Sequence, residues 1–287
     1  MHIPKEVFIK TEKMEEIKMK NVKRIVALLL TLTLILAFSA CGKEGKEGKK
    51  NENTLTMATS PDFPPYEYKD GDKVVGIDAE IAKAVADKLG MELKIVSVDF
   101  DSVIAGVGSG KFDMGMAGLT VTPEREKSVA FSVPYAKAVQ SVIVRKDSGI
   151  KTIDDLYTEK DGKKAVKSDT MIGVQTSTTG DIYASSPIED DGFTSEHVTK
   201  YKTGADAIQA LKTGKANAVI IDNEPAKKFV EKNPELVILD APYAEEHYSI
   251  AMNKKNTELN KKIDGALEEL IKDGTIQKII GKYIPAE

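Results

Sequence analysis

Tryptophan is absent from this 287-residue chain, cysteine occurs once, and histidine and arginine occur three times each. Each scarcity excludes something. A single cysteine, Cys41, cannot close an internal disulfide or supply a Cys-x-x-Cys metal or redox site. The histidines, His2, His197 and His247, lack any ligand-like spacing, so no metal site is expected. No G-x-S-x-G, H-E-x-x-H or P-loop pattern occurs, which removes the common hydrolase and nucleotide-binding signatures. Lysine is interspersed with Asp and Glu, the net charge is −4, and no basic stripe suggests nucleic acid. Long apolar runs are also missing, with one exception near the start.

That exception spans Ile25 to Phe38 and is interrupted only by Thr31 and Thr33. Lys18, Lys20, Lys23 and Arg24 precede it, and Ser39, Ala40 and Cys41 follow. A basic patch, a short apolar stretch and small residues describe an export signal. The stretch is shorter than the roughly 20 residues that a spanning helix needs. Residues 1–41 are therefore expected to be a signal peptide whose Cys41 carries a lipid, as in bacterial lipoproteins. The polar leader is long, which points to Met14 or Met19 as the start. Residues 42–53, built of Gly, Lys, Glu and Asn, have no apolar periodicity and are expected to be a flexible tether. Such a run reaches roughly 20 Å. Stable anchoring by lipid takes more than one acyl chain.

About 234 residues remain, enough for one large or two small domains. Strand and helix patterns alternate. Leu55 to Thr59 reads as a strand. Asp78 to Leu89 reads as a helix with Asp78 as its N-cap and Gly90 ending it. Met91 to Val98 alternates as a strand, Asp101 is placed to cap a second helix, and Asp113 to Ala117 reads as a strand. Ala205 to Lys212 reads as a helix, Ala218 to Ile221 as a strand, and Asn256 to Lys272 as a C-terminal helix. This alternation predicts an α/β fold with largely parallel sheets.

The stretch from Val103 to Gly118 resembles that from Ala207 to Asp222 at a constant offset. Gly110 and Lys111 align with Gly214 and Lys215, and apolar strands follow in both. Any βαβ unit has this look. The sharper expectation is two similar α/β domains, with Gly118 and Asp222 both at carboxyl ends of strands, where open α/β sheets bind ligands.

Among the three arginines, Arg24 belongs to the signal and Arg145 is expected to be solvated. Arg125 stands just past a strand end. Its planar guanidinium suits two parallel hydrogen bonds to a carboxylate, or it pairs with Glu124 or Glu126 on the surface. Asp222 follows the apolar Val219, Ile220 and Ile221. It either holds an ammonium group or caps the helix that Pro225 opens. The run Gln175-Thr176-Ser177-Thr178-Thr179-Gly180 either opens an anion-binding helix or caps a helix plainly. Pro61, Pro64 and Pro65 fix a loop that presents Phe63 and Tyr66, to a ligand or to the core.

Taken in order, the Ser60–Glu67 loop, Ala117-Gly118-Leu119-Thr120-Val121-Thr122-Pro123-Glu124-Arg125, Ser177-Thr178-Thr179-Gly180-Asp181 and the strand-end Asp222 resemble a known family. It is the polar amino acid-binding proteins of ABC importers, the solute-binding family 3 that includes glutamine- and histidine-binding proteins. The similarity runs from Leu55 to Tyr283. It implies a two-lobed periplasmic-binding-protein fold of type II, with a mostly parallel sheet in each lobe and a two-strand hinge near Val139–Val144 and Ala244–Ser249. Lobe 1 would take residues 54–142 plus 248–287, and lobe 2 residues 143–247.

The resemblance also implies roles. Arg125 would grip the α-carboxylate of a free L-amino acid, with Thr120 and the Gly118 backbone beside it. Thr178 or Thr179 would hold the carboxylate from the other lobe. Asp222 would pair with the α-ammonium, and Phe63, with Phe100, would pack on the side chain. No cofactor is implied and no enzyme activity. The partners implied are a membrane permease with its ATPase, served by a monomer outside the cytoplasmic membrane. A sensing module and a same-fold dehydratase are the alternatives. Ser60 replaces an acid, Ala117 a serine and Gln175 a lysine found in relatives. These departures speak against a glutamine, histidine, lysine or arginine ligand and favour a neutral polar or small one, with a cationic ligand left open. The segment Lys160 to Thr170 looks like an insertion.

Overall fold

The computed structural model describes residues 53–285. The export signal, Cys41, the start and all but Asn53 of the tether expected over residues 42–53 lie outside them. Among the described residues no helix is long and apolar enough to cross a membrane.

One nine-stranded sheet organises the described chain. From one edge, three short parallel strands run in the order Glu92–Ser97, Thr54–Thr59 and Met114–Gly115. From the other edge, three more run in the order Val198–Tyr201, Ile172–Gln175 and Ala218–Asp222. Two long antiparallel strands, Ala130–Arg145 and Ala244–Met252, join these halves. Met114–Gly115 pairs with Ala251 and Met252, while Ala218–Asp222 pairs with Val144 back to Gln140. Gln140 is the crossover, because its backbone is registered with Asp222 on one side and Ala244 on the other. The short strand Leu236–Ile238 adds to the far end of Ala130–Arg145. The result is the two-lobed α/β architecture of periplasmic binding proteins, with helices on both faces of each half.

The burial pattern follows from that arrangement. Strands covered on both faces read as continuous apolar runs. Leu55 and Met57 point to one core with Ile81, Val85 and Leu267, while Ala58 points to another with Val103, Val107 and Leu119. In the second lobe Ala218 and Ile220 pack with Val174 and Phe193, and Val219 and Ile221 pack with Leu211 and Ala226. Alternate residues thus feed opposite cores.

The repeated unit occupies equivalent places. Helix Phe100–Gly108 leads to Met114–Gly115, and helix Gly204–Lys212 leads to Ala218–Asp222. Gly110 and Gly214 both adopt a left-handed backbone, with φ of 83° and 76°. That conformation lets each helix end within one residue, at little cost only for glycine.

Several local expectations are corrected. Asp78 is not an N-cap: the helix is Ile77–Lys88 with Gly76 at its cap. Asp78 is buried instead, accepting from the Gly118 amide at 3.0 Å and the Tyr135 hydroxyl at 2.8 Å. Asp101 lies in the first helical turn, and Asp99 holds the cap position. The strand expected over Asp113 to Ala117 shrinks to two residues, because the Asp113 carboxylate turns back to the Thr56 amide and hydroxyl. After Lys272, Gly274 breaks the chain and a further helix, Thr275–Tyr283, follows. Arg145 is only half-solvated, donating to the Leu211 carbonyl at 3.0 Å. The segment Lys160 to Thr170 overlaps a hairpin of Tyr157–Lys160 with Lys163–Val166.

Candidate ligand cavity between the lobes

A narrow cavity lies where the carboxyl ends of the parallel strands meet. Phe63, Phe100, Gly118, Arg125, Thr178, Thr179 and Asp222 line it, together with Ser60, Asp62, Ala117 and Gln175. Seven of the eight sequence-selected residues therefore share one wall, from segments spread over 160 positions (63 to 222). Thr120 is not on that wall. Its hydroxyl turns away and donates to Glu246 Oε2 at 3.1 Å.

Arg125 sits in the short helix Pro123–Ser128, whose Thr122 side chain accepts from the Arg125 amide. The side chain is 8% exposed, so it is no surface residue. Nη1 donates to the Thr120 carbonyl at 2.7 Å and Nη2 to the Ser177 carbonyl of the other lobe at 3.0 Å. Phe100 lies under the guanidinium at 5.6 Å. Glu124 pairs with Lys127 rather than with Arg125. Burial pulls the Arg125 pKa down, while the charges of Glu246 and Asp222 hold it up.

Asp222 occupies the N-cap position of helix Asn223–Lys232, yet its side chain makes no capping bond. It accepts a hydrogen bond from the Tyr248 hydroxyl instead. Burial, and then the nearby Glu246, push its pKa up to about 7. The ionised form of a carboxylate held this far up would be favoured by an ammonium group placed beside it.

Thr178 caps the helix Thr179–Ala184 by accepting from the Asp181 amide, and its hydroxyl donates to the Gln175 carbonyl at 2.8 Å. Gly118 has φ of +55°, and a Cβ there would stand 2.8 Å from the Phe63 ring. Glycine thus lets Phe63 close the cavity floor against Tyr66, 6.0 Å away between ring centroids.

Two residues escaped the sequence reading. Asp62, half-buried between prolines, lines both this cavity and the adjoining outer groove with Lys69, Asp99 and Lys202. Burial raises its pKa, and Asp99 and Asp206 add to the effect. Glu246, 4% exposed, lies behind the cavity on Ala244–Met252. Tyr183 faces it, with its pKa pushed up to about 12 by burial and then by Glu246. A pattern of apolar strand ends finds Asp222 but not these, since Asp62 lies in a proline-fixed loop and Glu246 lies between Glu245 and His247. Lys202 and Asp99 close the mouth with a 2.9 Å ion pair. Among the described residues, no cluster of His, Cys, Asp and Glu is arranged to hold a metal ion.

Residues 55–286 match the model of bacterial extracellular solute-binding proteins, family 3. The chain belongs to this family. It is 34% identical over 268 residues to the arginine-binding extracellular protein ArtP of Bacillus subtilis, covering 92% of this chain and 99% of that protein. Holo ArgBP from T. maritima is 39% identical, with a TM-score of 0.67 over 79% of this chain and 95% of that one. The arginine-, lysine-, histidine-binding protein ArtJ from Geobacillus stearothermophilus is 32% identical, with a TM-score of 0.71 over 82% and 96%. The family's members are extracellular binding proteins that serve amino acid ABC transporters, and a solute-binding role follows for this chain.

Proposed function

We propose that this protein captures a free cationic L-amino acid, arginine in the first instance, and delivers it to an ABC permease. The observation that carries this reading is the charge of the cavity wall. It holds two carboxylates, Asp62 and Asp222, and one guanidinium, Arg125. A neutral amino acid leaves one carboxylate without a partner, and a cationic one satisfies all three groups. Arg125 grips the α-carboxylate, Asp222 the α-ammonium, and Asp62 the side-chain cation. Phe63 and Phe100 pack on the aliphatic stem, and the Gly118 backbone, Thr178 and Thr179 complete the carboxylate cage. Thr120 acts through Glu246 rather than on the ligand. The arginine-binding relatives support the class. This replaces the neutral ligand expected from Ser60, Ala117 and Gln175, because the acid missing at Ser60 is supplied two residues later by Asp62.

Each charge-assisted pair contributes about 1.5–3 kcal/mol. Three of them with side-chain burial reach micromolar affinity, about −8 kcal/mol. The contacts come from both lobes, so ligand favours the closed arrangement. We place lobe 1 at residues 54–142 with 248–287 and lobe 2 at 143–247. The protein acts as a monomeric receptor rather than an enzyme, tethered outside the cytoplasmic membrane by lipid on Cys41.

Calorimetry of the full chain against arginine, lysine, histidine, glutamine and cystine tests the ligand. Arginine is expected to bind most tightly, and Arg125→Ala to abolish binding while circular dichroism stays native. Binding of glutamine alone would overturn the cationic class, and binding retained by Arg125→Ala would overturn the role of Arg125.

A further inference from the structure

Behind the cavity, three polar side chains converge on one carboxylate oxygen of Glu246. Glu246 Oε2 accepts from Thr120 Oγ1 at 3.1 Å, from Gln140 Nε2 at 3.0 Å and from Thr179 Oγ1 at 3.0 Å. All four residues are buried, at 8% exposure or less. The other carboxylate oxygen, Oε1, has no hydrogen-bond partner at normal distance, with Tyr183 facing this carboxylate, and Gln140 Oε1 is buried without a partner.

The donors come from three different parts of the fold. Thr120 follows the last parallel strand of one lobe, and Thr179 opens the first helix of the other. Gln140 lies on the crossing strand where the two lobes exchange pairing partners. Glu246 sits on the second crossing strand, registered opposite Ala138. A carboxylate on the hinge can receive hydroxyls from both lobes only while the lobes are together. Opening the cleft must withdraw Thr120 or Thr179, leaving a buried charge short of donors.

We propose that Glu246 is the positioning residue that locks the closed cleft, by gathering Thr120 from one lobe and Thr179 from the other on one hinge oxygen.

The arrangement is costly for a purely structural cluster. A buried carboxylate with an orphan oxygen destabilises a core unless hydrogen bonds offset it. The charge of Glu246 acts on Arg125, which it attracts, and on Asp222, which it repels. Both line the ligand cavity. Glu246 thus touches no ligand, yet it sets the position of Thr179 on the cavity wall and the electrostatics of the two groups that hold the amino acid backbone. The inference rests on the two-lobe reading and not on which amino acid binds.

Hydrogen exchange of the full chain without ligand provides the test. In Glu246→Ala, amides of residues 118–125 and 175–181 should exchange about tenfold faster or more, the loss of one charge-assisted bond. The helix Thr257–Lys272 should exchange as in the wild type. Glu246→Gln keeps the shape and a neutral acceptor, so it should show the same local pattern at smaller amplitude. It decides the matter if Glu246→Ala does not fold. Unchanged exchange in both cleft segments, or acceleration spread evenly into Thr257–Lys272, would overturn the proposal. With L-arginine as probe, Glu246→Ala should also raise Kd about tenfold or more. If the wild type fails to bind arginine, the ligand class falls, and the exchange measurement still judges Glu246.

Discussion

At the scale of single residues, the cavity wall sets out how binding should respond to pH and to charge. Asp222 stands near pKa 7 without a cation, because burial and Glu246 both disfavour its ionised form. An α-ammonium partner requires that form, so binding releases a proton wherever the empty site holds one. The direction is fixed. A raised carboxylate pKa favours the unliganded fold at low pH, and that contribution is lost as pH rises from about 4 through 7. Ligand affinity moves oppositely, falling by about tenfold per pH unit below 7. Calorimetry at pH 5, 6, 7 and 8 measures this, and a flat profile would place the α-ammonium elsewhere. Asp62 offers a second, independent check. Asp62→Asn removes one charged acceptor, worth about 1.5–3 kcal/mol, a roughly 10- to 100-fold rise in Kd for arginine. Glutamine affinity should hold or improve, since the wall then carries one carboxylate and one guanidinium. Equal loss for both ligands would mean that Asp62 shapes the loop rather than selecting charge.

At the scale of elements, much of this arrangement was legible in the sequence, and the misses have physical causes. The apolar run ending in Asp222 marked a strand end, because a strand buried on both faces leaves no other reading for Val219, Ile220 and Ile221, whereas the strand before Gly118 stops at Gly115. The crossing strands were placed over Val139–Val144 and Ala244–Ser249, yet Ala130–Arg145 is far longer. Its first half pairs with one strand and its second with another, a change of partner that leaves no mark in composition. Asp78 was misread as a cap because an acid at a helix start usually is one. Here Ile77–Lys88 starts earlier, and Asp78 turns inward to hold the Gly118 amide and Tyr135. That bond fixes the turn that carries Gly118 at φ +55° under Phe63. Gly118→Ala should therefore damage fold and site together. The left-handed backbone costs about 1–3 kcal/mol, and the added methyl displaces Phe63 into the cavity. Thermal denaturation and arginine calorimetry of one preparation read both effects. Gly214 also has a left-handed φ, of 76°, and a Cβ there would meet only Arg145 Nη1 at 3.8 Å, so Gly214→Ala should lose stability and keep affinity. Normal binding by Gly118→Ala would show that Phe63 can yield.

At the scale of the molecule, the two lobes are joined by strands, and ligand bound between them is expected to be a main source of closed-state stability. Arg125 reaches the Ser177 carbonyl across the cleft, and Lys202 meets Asp99 at its mouth. The Lys202–Asp99 pair is more than half exposed on both sides, so it contributes little. A ligand that joins Arg125 and Asp222 adds binding free energy to the closed state alone. With a Kd near 1 μM, 1 mM arginine lies about 1,000-fold above Kd and stabilises by about 4 kcal/mol. For a body of this size, each kcal/mol moves Tm by about 2–4 °C. Arginine should thus raise Tm by roughly 8–16 °C. Asp99→Asn should leave that shift intact, because the mouth pair is screened by solvent. Arg125→Ala should abolish it, because the carboxylate then has no bidentate partner. A wild-type shift below about 2 °C at 1 mM arginine would mean that the cavity is shaped for another amino acid. A shift that vanished in Asp99→Asn would mean that closure depends on the rim rather than on the charges within.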